Sequence, residues 1–243
     1  MFRPRRTRYT ATVESVSLIA PRMARITLGG SGMSGFQCDE PTQWVKLFVT
    51  DPLDGQTVGR AYTVRHYSAQ EQRIDVDVVL HGKGPAARWA EAAVPGQEVS
   101  FGGARGSFRL DADAGFHLLA GDESAQPAVL TIAESLPPGT RGAVYLEVEG
   151  PQAEVPVNLR ADLDIVWVHR AASMPKGEAL RDAVLKASVP QGRLAPWAAG
   201  ESGAVREIRR HFTDGLGLDR RQVYAKGYWK LDEADHRDPL ASD

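Results

Sequence analysis

The residues in this chain best suited to chemistry form one short run, Arg60-Ala61-Tyr62-Thr63-Val64-Arg65. In a strand, alternate side chains share a face, so Arg60 and Tyr62 point together while Thr63 offers both a hydroxyl and its backbone. That set suits a flavin dinucleotide. A phenol ring can stack on an isoalloxazine, a hydroxyl or amide can reach a ring nitrogen, and guanidinium groups can hold a pyrophosphate bidentately. Read alone, the same run also describes an ordinary solvent-facing strand.

About twenty residues later comes His81-Gly82-Lys83-Gly84-Pro85-Ala86-Ala87-Arg88-Trp89, a glycine turn that leads into a helix with proline in its first turn. Unpaired N–H groups and the positive helix end make such a start suitable for a pyrophosphate. It is equally a well-formed helix start with no ligand. Gly121-Asp122-Glu123-Ser124 stands where a strand ends and a helix begins, the place an open parallel sheet presents to a nucleotide. Acidic residues repel phosphate, so these side chains suit ribose or nicotinamide contacts, or capping of the following helix.

Two other patterns carry no chemistry. Gly30-Ser31-Gly32-Met33-Ser34-Gly35 satisfies G-x-G-x-x-G, but Phe36 to Pro41 does not continue as a helix, so no helix end awaits a phosphate. Glu207 and His211 share a helical face at i,i+4 without a further ligand at metal spacing, and a surface ion pair is expected. No metal site and no acid–base dyad is expected anywhere in the chain.

These segments must be positioned by two kinds of element. From Tyr9 to about Phe108 the sequence runs in short β-rich stretches: Tyr9 to Ile19, Ala24 to Leu28, Trp44 to Val49, Ala61 to Tyr67, Arg73 to Leu80 and Glu98 to Phe101. Ile74, Val76, Val78 and Leu80 face one way, Asp75, Asp77 and Val79 the other, which predicts an antiparallel six-stranded β-barrel interrupted by one helix near Pro85 to Ala93. After Asp111 to Gly115 apolar strands alternate with amphipathic helices. Strands are expected at Phe116 to Ala120, Ala143 to Val148, Ile165 to His169, Arg193 to Ala198 and Gln222 to Gly227, and helices at Pro127 to Ser135, Gly177 to Lys186 and Glu201 to Phe212. This predicts a parallel sheet covered on both faces. The expected domains are 1–112, a β-barrel, and 113–243, an α/β domain with a C-terminal tail.

Bulk properties narrow the class. The chain has 243 residues, a net charge of -2, 42% hydrophobic and 25% charged residues, the profile of an ordinary folded protein. Arg3, Arg5, Arg6 and Arg8 open it and Asp232, Glu233, Asp235, Asp238 and Asp243 close it, read as solvated tails and not as a nucleic-acid surface. Cys38 is the only cysteine, which excludes an internal disulfide, a thiolate zinc cage and a cysteine-ligated iron–sulfur cluster. No stretch approaches the roughly 20 apolar residues that span a bilayer, and a cytoplasmic location is expected.

Taken together, the two glycine- and tyrosine-bearing segments resemble the siderophore-interacting protein family of the ferredoxin-reductase-like superfamily. Its flavin strand reads R-x-Y-T-x-R and its next motif H-G-x-x-G-P-A. The resemblance continues in order through Gly106-Ser107-Phe108, Gly121 to Ala128, Gly200-Glu201 and Gly227-Tyr228-Trp229-Lys230. It implies an FAD-binding barrel followed by an NAD(P)H-binding α/β domain. Arg60, Tyr62, Thr63, Val64, Arg65, Val79, His81, Gly82, Gly84, Pro85, Ala86 and Trp229 would hold FAD. Gly121, Asp122, Glu123, Ser124, Gly200 and Glu201 would face NAD(P)H, while Lys46 and Lys230 would attract an anionic ferric siderophore. Lys230 stands where many relatives carry Arg, and Leu231-Asp232 replaces the usual glycine-bearing continuation, so acceptor preference is expected to differ.

The implied activity is NAD(P)H-dependent reduction of ferric siderophores through FAD. Nicotinamide delivers two electrons as hydride and ferric iron accepts one, which is a flavin's kind of chemistry. Hard oxygen ligands hold Fe(III) better than Fe(II), so reduction releases the metal. The alternatives keep the flavin and change the acceptor to ferredoxin, flavodoxin or free flavin, or leave a protein that only binds ferric chelates. NADH, NADPH and ferredoxin all stand open as donors, because no 2'-phosphate pocket is identified among Arg170, Lys176, Arg181 and Arg193.

Overall fold

The computed structural model describes residues 7–82, 84–106, 108–233 and 236. Lys83, Ser107, the basic Arg3, Arg5 and Arg6 and the acidic Asp235, Asp238 and Asp243 lie outside the described residues. The chain divides between Arg109 and Leu110 into two compact units.

The first unit is a seven-stranded antiparallel sheet of β1 (Arg8–Ala20), β2 (Met23–Gly29), β3 (Trp44–Thr50), β4 (Thr57–Thr63), β5 (His66–Ser68), β6 (Arg73–Val79) and β7 (Glu98–Arg105), in the order β4-β3-β7-β1-β2-β6-β5. The period-2 pattern read in β6 is the observed one: Ile74, Val76 and Val78 are buried and join Val13, Ile26, Leu28, Val45, Leu47 and Phe101 in the core. Asp77, on the other face, is held bidentately by Arg25 at 2.7 and 2.9 Å.

The expected single strand Ala61 to Tyr67 is two strands, which raises the count from six to seven. Val64 N donates to Gln43 O at 2.8 Å and Arg65 N to Asp75 O at 2.8 Å. Consecutive amides thus bond to β3's leading loop on one side and to β6 on the other. Because β4 and β5 are the two outer members of the sheet, the chain passes at this seam directly from one edge of the sheet to the other, as the curling of a sheet toward a barrel requires. Helix α1 (Pro85–Ala92) starts at Pro85, buries Ala86, Ala87, Trp89 and Ala90, and packs against β2, β3, β4 and β6.

The second unit is a five-stranded parallel sheet of β8 (Phe116–Gly121), β9 (Arg141–Val148), β10 (Asp162–His169), β11 (Leu194–Glu201) and β12 (Tyr224–Trp229), ordered β10-β9-β8-β11-β12. Helices α2 (Gln126–Ser135), α3 (Glu178–Leu185) and α4 (Ser202–Arg210) connect them. Leu118 and Ala120 of β8 cluster with Leu180 and Val184 of α3 and with Ile208 of α4. On the other face Gly121 backs onto Val129 of α2, where an added Cβ would lie 2.9 Å from that side chain. Both faces of the central strand are therefore covered, as a parallel sheet requires. Between β9 and β10 the chain crosses with a single short turn, Pro151–Ala153, and no α-helix; prolines at 151 and 156 interrupt any helical run there. Helix α4 gives way to a five-residue π turn at His211–Gly215.

Candidate functional site

In the barrel unit, strand β4 pairs with β3 so that Arg60 lies opposite Leu47 and Tyr62 opposite Val45. Arg60 and Tyr62 therefore share the face that leads into the core, and both are half-buried. Burial pushes the Tyr62 phenol up to about 12, with the Arg60 charge pulling weakly the other way, so it is a neutral ring at any physiological pH. Arg60 Nη1 donates to Gly59 O at 3.1 Å. Thr63, Val64 and Arg65 are buried at the seam of the barrel.

The second flavin segment lies beside the first, because α1 packs on β4 and on β6, whose last residue is Val79. His81 and Gly82 are exposed. Gly82 and Gly84 hold φ of 66° and 83°, a region open to glycine at little cost, and a Cβ at Gly82 would meet nothing within 4 Å. Pro85 and Ala86 then open the helix. Among the described residues no side chain caps the start of α1. The Asp51 carboxyl, fully buried, holds the helix from its side: Arg88 Nε donates to it at 2.9 Å and Arg88 Nη2 donates to its other oxygen. That guanidinium keeps Asp51 below the usual carboxylate range. This brace was not read from the sequence, because its partners are 37 residues apart and Asp51 sits in no motif.

Lys46 stands opposite Ala61 in the β3–β4 ladder, on the face away from Tyr62. Its chain lies over Gly59, where an added Cβ would come within 2.3 Å of Lys46 Cε. Glycine at 59 is what lets this lysine lie flat on the strand.

In the parallel unit the candidate residues converge on Asp122, which is 1% exposed. Its Oδ1 accepts from Ser124 N at 2.9 Å, Ser124 Oγ at 2.5 Å and Ala125 N at 3.3 Å. Its Oδ2 accepts from Glu201 N at 2.9 Å and Trp229 Nε1 at 2.8 Å. One carboxylate thus ties the ends of β8, β11 and β12 together. Gly200, at φ 142°, is required at that spot, since a Cβ would lie 2.6 Å from Asp122 Oδ2. Burial pushes the Asp122 carboxyl up while the donors from Ser124 and Trp229 pull it down. Glu201 caps α4 through Ala204 N at 2.8 Å.

Glu123 is turned toward Arg170, which donates to it at 3.1 Å and to the fully buried Glu147 at 2.7 Å. Glu147 in turn accepts from Gly177 N and Leu180 N, at 2.9 and 2.8 Å, and so fixes the start of α3. Sequence reasoning missed Glu147 because its ligands lie 30 residues further on; a lone acid in an apolar strand was the available signal. The other basic residues considered for a 2'-phosphate are also paired: Arg181 with Asp182 and Glu207, Arg193 with Asp111, and Lys176 with Glu123 at 3.9 Å. Glu207 thus has its ion pair with Arg181, not with His211. Just past β12, Lys230 Nζ meets Glu233 at 2.6 Å. Tyr228 is half-buried and its phenol is pushed up by burial.

A parallel sheet in the order β10-β9-β8-β11-β12, following an antiparallel barrel along the chain, defines a two-domain reductase fold. The ferredoxin reductase of carbazole 1,9a-dioxygenase, 16% identical, shares it with a TM-score of 0.67 across 90% of this chain and 66% of that one. Within this class, the chain belongs to the siderophore-interacting protein family. The family model described as siderophore-interacting protein matches residues 114–232, and the siderophore-interacting FAD-binding domain matches residues 12–57 and 50–108. The chain is 31% identical to ferric vibriobactin reductase ViuB of Vibrio cholerae, over 90% of this chain and 89% of that protein. It is also 31% identical to a siderophore utilization protein from T. fusca, with a TM-score of 0.87 and 95% of each chain covered. Among the described residues no helix is long and apolar enough to cross a membrane.

Proposed function

We propose that the protein is an FAD-dependent reductase that takes electrons from a nicotinamide nucleotide and passes them to a ferric siderophore, releasing Fe(II). The observation that carries the flavin reading is a contrast among helix starts. Carboxylates occupy the amides leading into α2, α3 and α4, namely those of Asp122, Glu147 and Glu201. The start of α1 has no such cap among the described residues and follows a glycine turn in which a Cβ at Gly82 would meet nothing within 4 Å. An anion is favoured at an uncapped helix N-terminus, and the strand beside it carries Arg60, Tyr62 and Thr63.

In this reading Arg60 and the amides around Gly84 hold the FAD pyrophosphate, Tyr62 stacks on the isoalloxazine and Thr63 bonds to its polar edge. Bound FAD supplies the conversion from a two-electron donor to a one-electron acceptor. Val64, Arg65, Val79, His81, Gly82, Pro85 and Ala86 complete the wall, and Trp229 is a further candidate against the ring. The C-terminal ends of β8 and β11, with Gly121, Glu123, Ser124, Gly200 and Glu201, receive the nucleotide, while Asp122 holds that crevice in shape. Lys46 and Lys230 are the candidates for drawing in a negatively charged ferric chelate. The resemblance to a ferric vibriobactin reductase over nearly the whole chain favours iron as the acceptor over ferredoxin or free flavin.

The test is the visible spectrum of the purified protein, followed by anaerobic oxidation of NADH or NADPH with a ferric siderophore and a chromogenic Fe(II) chelator. Flavin absorption with Fe(II) formed in proportion to nucleotide consumed supports the reading. A colourless protein that takes up no added FAD removes it.

A further inference from the structure

Three neighbouring strands of the parallel sheet end in a single charged group. Glu123 lies two residues beyond β8, Glu147 and Glu149 flank the end of β9, and Arg170 follows β10 directly. Arg170 Nη1 is 2.7 Å from Glu147 Oε1, and Nη2 is 3.1 Å from Glu123 and 3.5 Å from Glu149. The arginine side chain is only 6% exposed, whereas Glu149 is 33% exposed. Lys176 is 3.9 Å from Glu123. Three carboxylates against two cations leave this edge with a net negative charge.

The position of that edge gives it meaning. The chain runs outward from β8 through β9 to β10 and then returns through α3 to β11 on the other side of β8, so β8 and β11 form the switch point outside which an open parallel sheet holds its ligand. A dinucleotide lying there reaches its adenosine ribose toward the ends of the next strands. An acid at that place bonds the ribose hydroxyls, and an available arginine accepts a 2'-phosphate. Here the arginine is already committed: Glu147 cannot release it without losing its own buried counter-charge, and Glu147 is fixed by the amides of Gly177 and Leu180.

We propose that the nucleotide donor is NADH and not NADPH, with Glu149 as the ribose reader and Glu123 and Glu147 withholding Arg170 from a 2'-phosphate. This rests on the reading that the donor is a nicotinamide nucleotide. A 2'-phosphate would bring about two negative charges to an edge that is already negative, and like charges placed together discriminate strongly against the wrong ligand.

The test is calorimetric titration of the flavin-replete protein with ADP-ribose and with 2'-phospho-ADP-ribose at one ionic strength, beside kcat/KM for NADH and NADPH with one ferric chelate. ADP-ribose is expected to bind at least about tenfold tighter. The variants Glu149→Gln and Glu123→Gln are expected to narrow that ratio by about threefold or more each. Equal affinities, or tighter binding of the 2'-phosphorylated ligand, overturn the proposal. Binding of neither overturns it together with the nicotinamide donor. A preference for ADP-ribose in a protein that reduces no ferric chelate upholds this inference and removes the reductase reading alone.

Discussion

Replacing Asp122 by asparagine tests whether one buried carboxylate organises the crevice of the parallel unit. The amide must present its oxygen to one side and its NH2 to the other. The turn side offers three donors, Ser124 N, Ser124 Oγ and Ala125 N, so the oxygen turns there. The NH2 then faces Glu201 N and Trp229 Nε1, which are donors themselves and sit 2.9 and 2.8 Å from the present oxygen. Each part-buried donor left without an acceptor costs about 1–3 kcal/mol, so Asp122→Asn, which strands two, should destabilise the unit by about 2–6 kcal/mol. At an m-value of about 2 kcal/mol/M, that lowers the urea midpoint by about 1–3 M. Circular dichroism during urea unfolding measures it. Trp229→Phe removes one of the two stranded donors, so the double variant should be less destabilised than the sum of the singles. A single-variant cost below about 0.5 kcal/mol, within the range of neutral surface changes, would refute the assignment of Asp122 as the hub.

Tyr62→Ala should lower the FAD retained through purification, read from the ratio of visible to ultraviolet absorbance; unchanged flavin content takes Tyr62 out of the site. Lys46→Ala should reduce kcat/KM for anionic ferric chelates more than for neutral ones, by about two- to tenfold, and more than Lys230→Ala does, since Glu233 already balances Lys230. Equal losses with both kinds of chelate discard the electrostatic role. Asp51 titrates below its ordinary range because Arg88 donates to it, so its contribution is complete above the unfolded value of about 4 and is lost as pH falls through the lowered folded value. Arg88→Met should therefore flatten the fall in urea midpoint between pH 5 and pH 2, and parallel profiles for the two proteins would contradict this.

How much of this was legible in the chain depended on how local the determining interaction was. The strand β6 and the helix α1 follow from alternation and from a proline after glycine, signals contained within a few residues. The division of Ala61 to Tyr67 into β4 and β5 was not legible, because alternation continues through Val64 and Arg65 while only the hydrogen-bond partner changes. Strand β7 runs on to Arg105 through Gly102 and Gly103, a pair that reads as a turn until β3 is seen beside it.

The site shows the same limit in sharper form. A carboxylate at the end of a parallel strand is wanted by a ribose and by the amides of a helix start for one reason, an acceptor facing donors, so sequence cannot separate the two roles. Asp122 could be read either way from Asp122-Glu123-Ser124 alone; its bonds to Glu201 and Trp229, 79 and 107 residues distant, are what commit both of its oxygens to the fold. Glu147 is committed likewise by Gly177, Leu180 and Arg170. Once those two acids are engaged, Glu149 is the more exposed acid beside Arg170, and Arg170 cannot serve a phosphate without leaving a buried charge behind. In the proposed reading, ligand selectivity at this crevice is therefore set by which carboxylates the helices have already taken, a property of the sheet's connectivity and not of any single motif.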